Sequence, residues 1–312
     1  MSVSAEICYR LARQLVLRHQ ANDSGNGTTD AAADSKADAS SFDRTAYQDF
    51  RKSELEEQFT RHFSTDLVKG KDVIDFGCGG GELSFYLATQ GVNSIRGTEV
   101  SEEQLELAKT QTAEQSMPVT PDFHLCNDTA TIDEPDGSYD VLLCFDVLEH
   151  ILDYKTIIPE WWRILRDDGV ILVWWMPYYH PYGHHVYSLL PLPWVHAVLP
   201  EQTIIDACAK IYDMPEYSPR LWDLDEDGNK KANRWKTLNE LPTLNKLSIN
   251  RFERMCTDLG FVFDRREYCP MASSGLANTI SSAMVKLPYM NEFFSSCVIY
   301  EIRKPASQNR PT

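Results

Sequence analysis

The sequence has no long apolar run, and the ~18–20 consecutive apolar residues that a membrane-spanning helix needs are found nowhere in it. It therefore predicts no transmembrane segment. The N-terminal stretch also lacks the apolar core and small-residue cleavage site of a secretory signal, so we expect a cytoplasmic protein. Arg10, Arg13 and Arg18 leave a mitochondrial location as the alternative, which Glu6 and the acidic stretch that follows disfavour.

The sequence contains no C-x-x-C pair, although it has eight cysteines. This absence argues against a structural zinc site. Cys78, Cys126 and Cys144 lie in or beside apolar segments, where buried free thiols are common. We therefore expect a reducing compartment, no disulfide framework and no metal site.

Basic residues are scarce: Lys and Arg total 30 against 46 Asp and Glu, a formal net charge of −16. An acidic surface repels the phosphate backbone of DNA or RNA, and a nucleic-acid partner is not expected. The 312 residues are enough to bury a substantial core in one large domain or two smaller ones. Nothing in the composition indicates an oligomeric state.

Glycines cluster at one place, directly after a short apolar segment that ends at Phe76. Val73, Ile74 and Phe76 have the pattern of a buried parallel strand, and Gly77, Gly79, Gly80 and Gly81 follow it. Helical spacing begins at Glu82. A strand, a glycine turn and a helix start form a nucleotide cradle, because the turn lets a ligand approach bare backbone.

The cradle lacks the third glycine of the dinucleotide fingerprint G-x-G-x-x-G. Counting from Gly77 and Gly79, that position holds Glu82. A carboxylate at the helix start repels a pyrophosphate but tolerates a ligand without phosphates. An NAD-dependent oxidoreductase is therefore disfavoured.

Acidic residues mark the ends of the following predicted strands. The strand at 94–100 ends near Glu99, whose carboxylate is suited to accept hydrogen bonds from ribose hydroxyls. Asp128 follows a third strand, and Asp146 follows a fourth. Because ligands bind at the carboxyl ends of parallel strands, these positions are expected to lie together.

Two motifs resemble those of class I S-adenosylmethionine (SAM) dependent methyltransferases. Asp75-x-Gly77-x-Gly79-x-Gly81 resembles their first motif, and Ser138–His150 resembles the "FDvv…lEH" segment of the small-molecule type that includes the ubiquinone and menaquinone C-methyltransferases. The resemblance implies SAM as the cofactor. It assigns cofactor binding to Asp75, Gly77, Cys78, Gly79, Gly81, Glu99, Asp128, Cys144, Phe145 and Asp146.

The predicted fold is α/β, because strands alternate with helices along the core. The resemblance implies a Rossmann-like, doubly wound sheet of seven strands whose last strand, at 297–303, is antiparallel, and an inserted substrate cap. The expected organisation is an N-terminal amphipathic helix at 1–20, a flexible linker at 21–42, a SAM-binding core with upstream lid helices at 43–176, a substrate-cap insertion at 177–246, a C-terminal completion of the core at 247–304 and a tail at 305–312.

The acceptor site is predicted in the proline- and aromatic-rich insertion. The candidate substrate contacts are Tyr178, His180, Tyr187 and Trp194, and the candidate catalytic bases are His150, His184 and His185. Histidine suits that role because imidazole titrates near neutral pH. A structural role for His150, and packed or exposed histidines at 180–185, stay open as alternatives, as does a less favoured metal site. Tyr47 and Arg51 on the upstream helix are candidates for closing the cofactor site.

These observations together predict a SAM-dependent methyltransferase that acts on an oxygen, nitrogen or carbon atom of a small-molecule acceptor. The alternative from another class is a SAM-binding module without catalysis, acting through partner contacts. Positioning an acceptor in line with the methyl group supplies much of the rate enhancement in such a reaction, ~7–11 kcal/mol.

Overall fold

The computed structural model describes residues 3–23, 44–126, 131–220, 223–225, 227–239, 241 and 244–306. The chain divides into two compact units, Met1–Phe50 with Tyr179–Leu244 and Arg51–Tyr178 with Asn245–Thr312. Within the described residues, no helix is both long enough and apolar enough to cross a membrane.

The helices and strands follow one another in an order that alternates through the core. They are α1 Val3–Asp23, α2 Arg44–His62, β1 Asp72–Phe76, α3 Glu82–Ala88, β2 Ser94–Glu99, α4 Glu102–Glu114, β3 Asp122–Leu125, β4 Tyr139–Phe145, α5 Tyr154–Ile164, β5 Leu165–Trp175, α6 Val195–Val198, α7 Glu201–Tyr212, α8 Ile249–Leu259, β6 Val262–Pro270, α9 Gly275–Met284, α10 Asn291–Phe294 and β7 Ser295–Arg303.

The larger unit is built on a seven-stranded sheet in the order β3-β2-β1-β4-β5-β7-β6. β1 pairs in parallel with both β2 and β4, whereas β7 runs antiparallel to both β5 and β6. The predicted seven-stranded sheet with an antiparallel last strand is therefore confirmed. The strand order reverses between β1 and β4, and this switch point is where doubly wound sheets bind ligands.

Alternating side chains place an apolar layer on each face of the sheet. One face packs Ile74, Leu142, Ile171 and Val173 against α5 and α8, where Trp161 and Phe252 are fully buried. The other face packs Val73, Val141, Leu143, Phe145 and Leu172 against Phe59 and Phe63, at the end of and just after α2, and against Leu83 and Leu87 of α3. Helices on both faces explain why these strands are apolar at successive positions.

The join between α5 and β5 contains no separate loop, although Asp167-Asp168-Gly169 has the composition of a turn. The helix ends at Ile164, and β5 begins at the next residue. Arg166 holds the early part of the strand, because its guanidinium donates to Asp72 at 2.9 Å and to Asp140 at 2.8 Å. Ion pairs between neighbouring strands are not visible in the periodicity of a single segment.

The smaller unit is centred on α1 and α7. Cys8, Ala12 and Val16 on α1 share an apolar cluster with the buried face of α7, which includes Ile204 and Cys208. The helix α1 includes residues 21–23, so the predicted linker does not begin at residue 21. The rest of that linker, and the predicted tail from residue 307, lie outside the described residues.

Candidate active site

The glycine turn follows β1 and has left-handed backbone at three of its residues. Gly77, Gly79 and Gly81 have φ of 75°, 55° and 87°, a region that favours glycine. The amides of Gly77 and Cys78 both donate to the Thr98 carbonyl, at 2.8 and 3.0 Å, and so attach the turn to β2.

The turn is open at only one of its glycines. A Cβ at Gly77 would lie 2.5 Å from the Val147 side chain, whereas a Cβ at Gly79 would meet only Glu82 Oε2, at 3.6 Å. The bare backbone around Gly79 is therefore the part of the turn that a ligand can approach.

Glu99 connects the end of β2 to that open backbone. The amide of Gly79 donates to Glu99 Oε2 at 3.0 Å, and the amides of Val100 and Ser101 donate to Oε1 at 2.8 and 2.9 Å. A carboxylate oxygen accepts two hydrogen bonds, so Oε2 keeps capacity for a hydroxyl donor. This geometry fits the predicted contact with a sugar hydroxyl.

Asp75 lies beneath the turn and not at its surface. Its side chain is 3% exposed, and Ser84 Oγ donates to its Oδ2 at 2.7 Å. Burial raises the pKa of Asp75 to about 7, and the neighbouring carboxylates of Glu82 and Glu99 add to that increase. Asp75 thus fixes the start of α3 against β1, and its predicted cofactor contact stays a prediction.

Glu82 fills the position where a dinucleotide site has glycine. Its carboxylate lies at the first turn of α3, and a Cβ at Gly80 would come within 2.7 Å of its Oε1. Burial raises the pKa of Glu82, while hydrogen bonds from backbone amides and the charge of Arg51 oppose that increase. This carboxylate occupies the helix start that a pyrophosphate would need.

The end of β4 brings further acidic groups to the same edge of the sheet. Asp146 has a left-handed backbone, φ 58°, and its amide donates to the Trp174 carbonyl at 3.0 Å. Arg51 donates to Asp146 Oδ2 at 2.9 Å and to Glu54 at 2.6 Å. The side chain of the predicted closing residue Tyr47 lies outside the described residues.

Asp146, the acid of this ion pair, lies next to a second acid, Glu149, which is buried. Glu149 is 1% exposed, and within the described part of the chain neither of its oxygens, nor Asp146 Oδ1, has a partner with hydrogen-bond geometry. Burial and the Asp146 carboxylate raise the pKa of Glu149 well above its usual range. Burial of a carboxyl group without a partner favours its neutral form, in keeping with this direction.

The remaining predicted cofactor residues are distributed between the core and its edge. Cys144 and Phe145 are buried in β4, and burial raises the pKa of the Cys144 thiol. Cys78 is buried beneath the glycine turn, and its pKa is raised for the same reason. Asp128 lies outside the described residues.

The ring of Phe123 in β3 limits the space at two nearby glycines, a contact that the sequence did not reveal. A Cβ at Gly97 would lie 2.3 Å from its ring, and a Cβ at Gly81 would lie 2.7 Å from it. One aromatic ring therefore requires glycine in the turn and in β2. The signal in the sequence was Gly97 itself, a glycine inside a predicted strand, which marks a close approach.

His150 is the catalytic candidate that lies in the larger unit. It ends a short 3-10 helix at Leu148–His150 and is exposed. The substrate candidate Tyr178 is buried, with the Lys246 ammonium 5.8 Å from its ring centroid. Asn245 fixes this segment, because its side-chain amide donates to the carbonyls of Leu148 at 2.6 Å and Ile151 at 2.8 Å.

The other candidates lie in the smaller unit, where several rings pack together. The ring centroids of His184 and His196 are 5.2 Å apart, and those of Tyr182 and Tyr187 are 4.6 Å apart. Trp194 donates its amide to the Pro181 carbonyl at 2.6 Å. Within the described residues, no group of three His, Cys, Asp or Glu side chains is arranged to hold a metal ion.

His184 is a buried, structurally engaged imidazole. Its Nδ1 accepts from the Val186 amide at 3.1 Å, and its Nε2 lies 3.3 Å from the Leu192 carbonyl, to which it donates as a neutral ring. Burial lowers the pKa of His184 to about 3, as it does that of His180. A base of such low pKa accepts a proton poorly at neutral pH, so this geometry favours a structural role. His185 is exposed, with φ 53°.

Comparison with known proteins identifies the class of the core. Residues 74–173 match a family model described as a methyltransferase domain. Together with the sheet topology and the glycine turn, this match makes the region similar to methyltransferase domains of the class I type, and SAM is the indicated cofactor. The carboxylates around Gly79 fit a ligand that carries a sulfonium and an ammonium group and no phosphate.

More particularly, the chain is similar to ubiquinone biosynthesis O-methyltransferases. It is 33% identical to that of Idiomarina loihiensis over 34% of this chain and 43% of the relative, and 26% identical to that of Coxiella burnetii over 44% and 56%. The chain thus spans about half the length of these relatives. A putative SAM-dependent methyltransferase structure from Listeria monocytogenes aligns with a TM-score of 0.47 at 17% identity, covering 81% of this chain and 98% of the other.

Proposed function

We propose that the protein is a SAM-dependent methyltransferase that methylates an oxygen, nitrogen or carbon atom of a small-molecule acceptor. The observation that carries the proposal is the Glu99 carboxylate on the open Gly79 backbone, at the switch point of a class I sheet. When bound there, SAM supplies a methyl group already activated by its sulfonium.

A hydroxyl of a quinone-type acceptor is the substrate that we favour. The support is the name of the similar proteins, which methylate oxygen in ubiquinone biosynthesis. A hydroxyl acceptor loses its proton as it is methylated, so a base has to take that proton. His150 is our candidate in the larger unit, because it follows β4 at the cofactor edge of the sheet and its side chain is exposed.

The chain's own residues account for cofactor selectivity in this proposal. Glu99 holds the glycine turn through the Gly79 amide and offers the remaining capacity of Oε2 to a sugar hydroxyl. Glu82 places its carboxyl group at the start of α3, the position that the pyrophosphate of NAD would need. Arg51 and Asp146 form the ion pair at the adjacent strand end.

Two measurements test the proposal. Calorimetry with SAM, S-adenosylhomocysteine and NADH should show binding of the first two and none of the third; binding of NADH alone would overturn the cofactor assignment. Transfer of label from methyl-labelled SAM to a phenolic or quinol extract should then yield a labelled product. SAM binding without a labelled product from any extract would favour the alternative of a non-catalytic SAM-binding module.

A further inference from the structure

Two cysteines on neighbouring strands lie directly opposite each other near the edge of the sheet. In the antiparallel pairing of β6 with β7, Cys269 is the register partner of Cys297. Residues in such a pair project to the same face, with Cβ atoms ~4.5–5.5 Å apart. A disulfide bridges Cβ atoms ~3.5–4.5 Å apart, so a small approach of the strands is enough to form one.

The backbone beside the pair permits that approach. The register shifts between Cys269 and Pro270, where the ladder is irregular. At this irregularity the Ser296 hydroxyl donates to the carbonyls of Cys269 at 3.3 Å and Pro270 at 3.2 Å. An interrupted ladder adjusts locally without disturbing the longer paired segment that precedes it.

Both thiols are free and partly exposed, and they face the side of the sheet covered by α2. Cys269 and Cys297 pack at the margin of the apolar cluster that contains Phe59, Phe63 and Trp174. Because both residues are partly exposed, we expect a small reagent to reach the pair. The fully buried Cys144 and Cys256 have no such access.

The surroundings divide the two thiols into a nucleophile and a resolving group. The adjacent Cys269 side chain lowers the pKa of Cys297, and burial opposes that decrease. The Cys297 side chain and burial raise the pKa of Cys269. Of the two, Cys297 is therefore the one that ionises more readily, and the thiolate is the form that attacks a disulfide.

We propose that Cys269 and Cys297 are a reversible oxidation site that closes to an intrachain disulfide by exchange with a low-molecular-weight disulfide. The Cys297 thiolate attacks one sulfur of the reagent, a mixed disulfide forms and one small thiolate leaves. Cys269 loses its proton to solvent and attacks the Cys297 sulfur, and the second small thiolate leaves. Two protein thiols are oxidised and one small disulfide is reduced to two thiols, so electrons and protons balance.

Closure of this bond has a structural consequence. It would link β6 to β7 and enclose the segment with α9 and α10, which lies between the two cysteines. A cross-link of this kind restricts the unfolded chain and stabilises the folded one. Because a regular strand pair holds its Cβ atoms farther apart than a relaxed disulfide, we expect a strained and readily reduced bond.

The test uses the full chain, fully reduced and then exposed to oxidised glutathione without denaturant. Peptide mapping by mass spectrometry should find Cys269 joined to Cys297, with the intact mass lower by two hydrogen atoms, and dithiothreitol should reverse the change. The Cys269→Ser variant should stop at a glutathione adduct on Cys297. The matched control Cys126→Ser removes a partly exposed thiol with no opposed cysteine and should form the bond as the wild type does.

The outcomes separate the proposal from simple thiol accessibility. Two separate adducts, at Cys269 and at Cys297, would overturn it, as would unmodified thiols at both positions while Cys126 reacts. Thermal unfolding gives a second readout that does not depend on the variants: the oxidised wild type should have a higher midpoint than the reduced form. An equal or lower midpoint would contradict the proposed cross-link between the strands.

Discussion

Replacing Glu99 by alanine is the sharpest test of the proposed cofactor site. The substitution removes the carboxylate that accepts from the amides of Gly79, Val100 and Ser101 and that offers Oε2 to a ligand hydroxyl. Hydrogen bonds to a charged group contribute about 1.5–3 kcal/mol each. Loss of one such bond to the ligand corresponds to a SAM dissociation constant raised about 10- to 150-fold.

Isothermal calorimetry at fixed ionic strength measures the change in SAM affinity. Two further variants show whether that change is specific to the Glu99 carboxylate. Glu102→Ala removes an exposed charge three residues away and should leave affinity within about twofold, as expected for surface charges. Glu99→Gln keeps one acceptor oxygen and should fall between wild type and alanine. An alanine variant that is folded by circular dichroism and binds SAM as tightly as wild type would refute the reasoning.

The other predictions concern Gly79 of the glycine turn, His184 and the buried carboxyl group of Asp75. Gly79→Arg should abolish SAM binding by calorimetry, whereas Gly137→Arg, at another open glycine with φ 58°, should bind normally; equal losses would indicate general strain and not a filled cradle. His184→Ala should lower the free energy of unfolding by about 1–3 kcal/mol, because it leaves two buried backbone groups unpaired. A urea midpoint unchanged from wild type would contradict the structural role inferred from these two hydrogen bonds. Because the pKa of Asp75 is raised to about 7 in the folded state, its contribution to stability should be present below about pH 4 and be lost as the pH rises towards 7, by on the order of 4 kcal/mol. Denaturant titrations across that range should show this slope, and Asp75→Asn should flatten it; an equal slope in that variant would contradict the assignment.

The sequence was most informative where function depends on local backbone. A glycine turn after an apolar strand, and an acid at the end of the next strand, are patterns within a few residues, and the structure places Gly79 and Glu99 in contact. The sheet topology followed from alternating elements and from family resemblance. Such features depend on order along the chain, which a sequence displays directly.

What the sequence did not reveal depends on contacts between distant residues. The resemblance assigned Asp75 to cofactor binding, and the structure adds that its carboxylate is buried and accepts from Ser84. Nothing in an isolated strand distinguishes an acid that faces a ligand from one that faces a helix. Likewise, the interactions of His184 come from residues brought together only by folding of a proline-rich segment, which has no regular period.

The ring of Phe123, which lies against both Gly81 and Gly97, has a consequence for how this sheet can evolve. Any side chain gained at position 97 needs space that only a smaller residue at position 123 provides. Among related chains, these two positions should therefore vary together and not one by one. Related chains with a smaller residue at position 123 should tolerate a side chain at position 97. The sequence of the glycine turn, which contacts the same ring through Gly81, should change in those chains as well.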